Sequence, residues 1–240
     1  MDTAKQAIIM AAGFGSRLRP VTESIPKPLV SVRSARILDT TIEALRKNGI
    51  SRIIVVTGYL SECFQGLEEK YPGVKLVHNP DYAAGNSITS LYHAREYMTE
   101  SAILMDGDII VVNPDILKPD IRRSCYCCMW MDTYSDEWIL HETDGIVTGC
   151  QAEGGTGWAL RSVSLWTRED ILRMRRQLTE AYEKDGLRNV FWDQIPIFCH
   201  PEDYEIGIRP IALTDLVEID TLEDLCRMDP TYLTRKEEKK

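Results

Sequence analysis

Residues 6–29 read QAIIMAAGFGSRLRPVTESIPKPL. The run Ala7-Ile8-Ile9-Met10-Ala11-Ala12 is apolar and short, the pattern of a buried strand. It opens directly into Gly13-Phe14-Gly15-Ser16-Arg17. Glycines without Cβ atoms let backbone N–H groups approach an anion closely. Arg17 and Lys27 add fixed positive charge where phosphate charge would lie. The segment therefore specifies a polyphosphate ligand held at the carboxyl end of a strand.

Two familiar phosphate loops are excluded by the letters. A Walker A loop requires G-x-x-x-x-G-K-[ST], and no Lys-Ser/Thr pair follows the second glycine. A dinucleotide fingerprint requires G-x-G-x-x-G, and Leu18 stands where the third glycine belongs. What remains is a strand, then Gly13, Gly15, Ser16, Arg17, Leu18 and Pro20, then Pro26-Lys27-Pro28. This combination resembles the nucleotidyltransferases that activate sugar phosphates and related alcohol phosphates, whose signature is G-x-G-[ST]-R-[LM]-x-P followed by P-K-P or P-K-A.

Outward from this loop, apolar runs alternate with helical patterns. Arg52–Thr57, Val74–His78 and Ala102–Met105 read as strands. Ile37–Lys47, Ser61–Lys70 and Ser87–Tyr97 read as helices. That order predicts an α/β fold with a Rossmann-like, doubly wound, mostly parallel mixed sheet. Ligands in such sheets bind beyond the carboxyl ends of the strands. The second half is less regular. Strands are expected at Cys125–Asp132, Trp138–Glu142, Gly145–Gln151, Val163–Trp166, Ile206–Leu213 and Leu216–Ile219. Helices are expected at Arg168–Lys184 and Leu222–Met228. One domain over 1–233 is expected, with 1–123 holding the nucleotide and 124–233 the acceptor. The charged tail 234–240 is expected to be disordered.

Composition narrows the classes. At 44% hydrophobic and 27% charged the chain reads as soluble and globular, and its net charge of −9 argues against nucleic-acid binding. No apolar run approaches the roughly 20 residues of a membrane helix. The 7 cysteines form no paired framework, and Cys125, Cys127 and Cys128 read as small buried strand residues rather than zinc ligands. Free thiols and no signal-peptide pattern point to the cytoplasm.

Met105-Asp106-Gly107-Asp108 places two carboxylates at the end of a buried strand. Mg²⁺ prefers hard oxygen ligands, usually one or two carboxylates plus phosphate oxygens. A plain turn is the alternative, and the phosphate loop tips the balance towards a metal site. Resemblance to the nucleotidyltransferases makes Asp108 the metal ligand and puts Asp106 either behind the metal ligands or on the ribose side. It also implies a late second aspartate, matched by Asp220 in Val217-Glu218-Ile219-Asp220-Thr221, with capping of the helix after it as the alternative role. Two aspartates, one Mg²⁺, an arginine and a lysine suit in-line displacement at an α-phosphorus. The acceptor oxygen is already anionic and needs no general base, so catalysis is positioning plus charge neutralisation by Arg17, Lys27 and Asp108.

A more specific resemblance runs in order along most of the chain. The loop at 11–20, Gly58-Tyr59-Leu60, Asn86-Ser87, Asp106–Asp108, Glu137-Trp138, Ser162–Trp166, Trp192-Asp193 and Glu218–Asp220 together resemble the bacterial CTP:phosphocholine cytidylyltransferases. Ile109 departs from that pattern, where asparagine often follows the metal aspartate. The resemblance implies a nucleotidyltransferase (GT-A-like) fold, with Mg²⁺ as cofactor and CTP and phosphocholine as substrates. The chain would act as a monomer or homodimer. It implies that Ala11, Ala12 and Gly13, with Asn86 and Ser87, read the base, although Asn86 could be only a helix N-cap. A quaternary ammonium has no N–H and is held by aromatic faces. The resemblance therefore assigns the choline to Trp138, Trp192 and Asp193, with Phe191 as a further ring. Simple packing is the competing role for these tryptophans, and the one expected for Trp130, Trp158 and Trp166. Phosphoethanolamine, 2-aminoethylphosphonate or a sugar 1-phosphate are alternative acceptors. A non-catalytic nucleotide-binding module is the alternative outside enzymes.

Overall fold

The computed structural model describes residues 2–233, so the expected tail 234–240 lies outside the described residues. Apart from two-residue strands, the first half holds β1 (Gln6–Ala11), β2 (Arg52–Thr57), β3 (Val74–His78), β4 (Ala102–Asp106) and the short β5 (Ile109–Val111). The helices between them are α1 (Ile37–Lys47), the single turn α2 (Leu67–Lys70) and α3 (Ser87–His93). Strands β2, β1 and β4 lie side by side and parallel, with β3 parallel beyond β2. The helix expected over 61–70 is split into a 3₁₀ turn at Ser61–Phe64 and α2, because Gly66 is a weak helix former in its middle.

The second half extends the same sheet. It contributes β6 (Cys125–Ser135), β7 (Ile139–Thr143), β8 (Ile146–Gln151), β9 (Gly155–Trp166), β10 (Gly207–Pro210) and β11 (Leu216–Glu218), with α4 (Arg168–Glu183) and α5 (Leu222–Met228). The end of β9 pairs antiparallel with β4, so both halves share one sheet of 9 strands. Strand β6 runs along the other edge of β9 and carries β10 parallel to it. The β7–β8 hairpin joins β9 beside β4. Both β6 and β9 are longer than their apolar cores suggested, since their polar outer ends are held by pairing with each other rather than by burial.

Alternation along β1 explains the layering. Ala7, Ile9 and Ala11 face one core, packed with Leu38, Ile42 and Leu45 of α1. Ile8 and Met10 face the other, packed with Ile88 and Leu91 of α3 and Ile171, Met174 and Leu178 of α4. A strand buried on both faces has no polar alternation, which is why 7–12 reads as a continuous apolar run. Cys125, Cys127 and Cys128 are buried as expected. Trp130, expected to pack inside, is instead 54% exposed and meets Trp158 edge-on at 5.2 Å. No helix among the described residues is long and apolar enough to cross a membrane.

Candidate active site

The register of the central strands decides where the site lies. Met10 pairs with Asp106, so the glycine loop after β1 and the Asp106–Asp108 turn after β4 emerge side by side. Between them opens a cleft of about 430 Å³, lined by Ala11–Arg17, Lys27, Tyr82, Gly85–Ser87, Asp106, Asp108, Phe191, Asp193 and Asp220.

The loop is anchored by its own leucine. Leu18 is fully buried in a small core with Val30, Val32, Ile37, Ile219 and Leu225, which ties the loop to α1, to α5 and to the chain leaving β11. Gly15 takes φ +58°, and a Cβ there would stand 2.9 Å from Lys27 Cβ. Thr22 Oγ1 donates to the Gly15 carbonyl at 2.7 Å, closing the loop from below.

Four charges then converge. Lys27 Nζ donates to Asp108 Oδ2 at 2.7 Å and to Asp220 Oδ1 at 3.0 Å. Arg17 Nη2 donates to the same Asp220 oxygen at 3.0 Å. Burial alone would push the Lys27 ammonium down, but the two carboxylates beside it more than offset this and raise its pKa. Asp220 reaches this position because β11 pairs antiparallel with β5, Glu218 opposite Ile109, and Ile219 N–H donates to the Asp108 carbonyl. The cap of α5 is Thr221, which forms a capping box with Asp224. Asp220 is thus released from capping, and its carboxylate faces the two cations. The carboxylates of Asp108 and Asp220 are hard oxygen donors, the type that Mg²⁺ prefers.

Asn86 is the N-cap of α3, its side chain accepting from Ser87 N–H at 2.8 Å. The turn before it packs tightly on the segment carrying Phe191 and Asp193. Asn86 N–H donates to the Arg188 carbonyl at 2.7 Å, and a Cβ on Gly85 would stand 2.3 Å from that oxygen. Ser87 Oγ accepts from Trp192 N–H at 3.1 Å. Phe14, Tyr59 and Tyr82 form an aromatic rim over the loop, with centroids 5.2 Å and 5.3 Å from Phe14. No sequence signal singled out Phe14.

The expected choline residues divide. Phe191 and Asp193 line the cleft. Trp192 does not: it is 4% exposed, packed against Tyr126 and Trp166 at 6.2 and 5.9 Å. Trp138 stands behind Phe191, edge-on at 5.8 Å, and is held by Phe198 at 5.3 Å on its other side. The structure therefore gives Trp192 to the core and Trp138 to a second row. Burial pushes the Asp193 carboxyl up to about 7. Asp106 is raised well above the carboxylate range by burial and by the neighbouring Asp108, Asp193 and Glu218. Sequence reading also passed over Arg161, which pairs with Glu137 at 3.2 Å and Glu218 at 2.8 Å, because its partners are remote in sequence.

A family model described as nucleotidyl transferase matches residues 6–119. The chain is also 34% identical to the 2-aminoethylphosphonate cytidylyltransferase of Lancefieldella rimae, over 95% of this chain and 93% of that one. The chain belongs to the nucleotidyl transferase family. This nucleotidyltransferase is 31% identical to the choline-phosphate cytidylyltransferase of Streptococcus pneumoniae over 93% of its length and 96% of the relative. The solved structure of the CTP:phosphocholine cytidylyltransferase from that organism matches it with a TM-score of 0.86, covering 94% of this chain and 98% of that one. The inositol-1-phosphate CTP transferase of T. maritima shares the fold at a TM-score of 0.74 and 18% identity, covering 97% of this chain and 96% of that one.

Proposed function

We propose that this nucleotidyltransferase moves the cytidylyl group of CTP onto the phosphate or phosphonate of a small acceptor with a cationic head, releasing pyrophosphate. The observation that carries the reaction is the convergence of Arg17, Lys27, Asp108 and Asp220 within 3.0 Å contacts at one end of the cleft. Similarity along nearly the whole chain to cytidylyltransferases supports CTP as the donor.

The chemistry needs no proton transfer. An anionic acceptor oxygen attacks the α-phosphorus, the bond to the β-phosphate oxygen breaks, and pyrophosphate leaves with its charge. The loop N–H groups and the exposed Arg17 hold the departing phosphates. Lys27, fixed by burial, holds phosphate near the reacting centre. Asp108 and Asp220 are the residues that would hold Mg²⁺, which when bound supplies positive charge to the phosphate oxygens. Ala11–Gly13 and the 82–87 turn are the surfaces for the cytidine.

Phe191 and Asp193 in the cleft lining support a cationic head on the acceptor. Phosphocholine is supported by the Phe191 ring backed by Trp138. A primary ammonium, as in phosphoethanolamine or 2-aminoethylphosphonate, is supported by the carboxylates. The test is pyrophosphate release with four NTPs against a panel of these acceptors and a sugar 1-phosphate. Release with CTP and an amino or choline acceptor is expected. Nucleotide binding without release for any acceptor would overturn the reading, as would preference for another NTP.

A further inference from the structure

Two irregular segments line the cleft beside the glycine loop. Residues 79–86 run from β3 to α3 and carry Tyr82, Gly85 and Asn86; residues 184–193 follow α4 and carry Phe191 and Asp193. Neither has a helix or strand ladder of its own, so other contacts must set its position. The two are fastened to each other. Ile88 N–H donates to the Val190 carbonyl at 3.3 Å, beside the Asn86–Arg188 and Trp192–Ser87 bonds described above.

Four side chains that do not line the cleft tie this pair to the helices. Tyr92 of α3 and Tyr182 of α4 stack with centroids 3.6 Å apart and planes 9° apart. The Arg95 guanidinium lies 3.9 Å from the Tyr92 centroid, and the Arg188 guanidinium 3.2 Å from the Tyr182 centroid. One ring face cannot hold two groups at such distances. The order is therefore Arg95, Tyr92, Tyr182, Arg188, with a cation on each outer face of the ring pair. Arg188 Nη1 also donates to the Tyr182 carbonyl. The Tyr182 hydroxyl donates to Asp81, just before Tyr82, and His93 Nε2 stands 2.7 Å from the same carboxylate oxygen. Asp81 N–H in turn donates to Asn79 Oδ1 at 2.9 Å. Tyr182 thus meets α3 through one face, the 184–193 segment through the other and the 79–86 segment through its hydroxyl.

We propose that Tyr182 and Arg188 are positioning residues for both substrates. The stack sets the spacing of the two segments, and so the geometry in which Asn86 and Ser87 meet the nucleotide and Phe191 and Asp193 meet the acceptor. The inference rests on the cytidylyltransferase reading above. A segment released from the stack has to be ordered by each incoming ligand, which weakens binding. The reacting charges are fixed elsewhere, by the burial of Leu18 and the pairing of β5 with β11. Loosening the stack therefore raises KM and leaves the chemical step at saturation intact.

The test is steady-state pyrophosphate release from CTP with the acceptor the parent protein uses best, alongside thermal melts. Arg188→Met is expected to raise KM for CTP and for the acceptor about tenfold each, with kcat within about threefold of the parent. Tyr182→Phe keeps the ring in the stack and loses only the hold on Asp81. It is expected to raise KM for CTP about fivefold, one ordinary hydrogen bond, and it decides the question should Arg188→Met fail to fold. Arg175→Met is the control: it breaks a pair between α4 and Glu96 that touches neither segment, and both KM values should stay at the parent level. A lower Tm with unchanged KM values in Arg188→Met and Tyr182→Phe would overturn the inference, leaving the stack a purely structural feature. So would a loss confined to kcat. No release by the parent with any acceptor would overturn the cytidylyltransferase reading and this inference with it.

Discussion

Replacing Lys27 by methionine removes the charge at the centre of the site while keeping most of the volume. Lys27 Nζ makes two charge-assisted contacts, at 2.7 Å and 3.0 Å, from a residue that is 7% exposed. Breaking a buried pair of this kind typically costs about 3–5 kcal/mol, because the partners are left uncompensated. Here the Asp108 and Asp220 side chains keep 29% and 36% of their exposure, so water screens part of their repulsion. The stability loss is therefore set at about 2–3 kcal/mol, or roughly 5–10 °C in Tm for a chain of this size. Loss of one preorganised charge at the reacting phosphate is expected to lower kcat by about 10²–10³. Both effects should be flat from pH 6 to 9. The Lys27 pKa is raised above the ordinary 10.5, so its contribution is fully present below that value and is lost only as pH rises through the higher folded one. Pyrophosphate release at saturating CTP and thermal melts without ligands measure the two quantities. A kcat within threefold of the parent protein, or an unchanged Tm, would refute the electrostatic account of this site.

Three further outcomes follow from the geometry. Gly15→Ala must hold φ +58° with its Cβ 2.9 Å from Lys27 Cβ; a left-handed non-glycine residue costs about 1–3 kcal/mol, and the displaced lysine should lower kcat/KM at least tenfold in the same assay. Trp192→Ala, at a 4% exposed position, should cost about 3–5 kcal/mol in denaturant melts, whereas Phe191→Ala, at a 46% exposed one, should leave stability unchanged and raise the acceptor KM. The reverse pattern would return Trp192 to the cleft wall. Asp193 has a folded pKa of about 7 against 3.8 when unfolded, so the folded state holds its proton longer and stability falls as pH rises from about 4 to 7. Asp193→Asn should therefore gain stability relative to the parent as pH rises from 4 to 8, by up to roughly 4 kcal/mol in all. A difference independent of pH would disprove the burial of that charge.

The reaction class was legible in residues 6–29 because a strand, a glycine turn and fixed cations are all local chemistry. Parallel strands buried on both faces announce themselves as short apolar runs, so β1, β2, β3 and β4 were found with nearly their true bounds. Cap assignments were less secure. Asp220 and Thr221 are both good N-caps by residue type, and only the backbone at Thr221 and its box with Asp224 show which carboxylate is free. The long β6 and β9 were underestimated because their outer ends are polar and are fixed by cross-strand pairing, a non-local term.

By itself the sequence determined the glycine loop, the carboxylates at the end of β4, and an α/β sheet to hold them, since each depends on neighbours within a few residues. Tertiary structure alone decided which charges meet. Arg17 and Lys27 reach Asp220 across separations of 203 and 193 residues, through the burial of Leu18 and the pairing of β5 with β11. It also decided which aromatic residues stand on the cleft. The exposure of a tryptophan is set by what packs on it, and Tyr126 and Trp166 draw Trp192 inward while Phe191, one residue away, is left on the cleft.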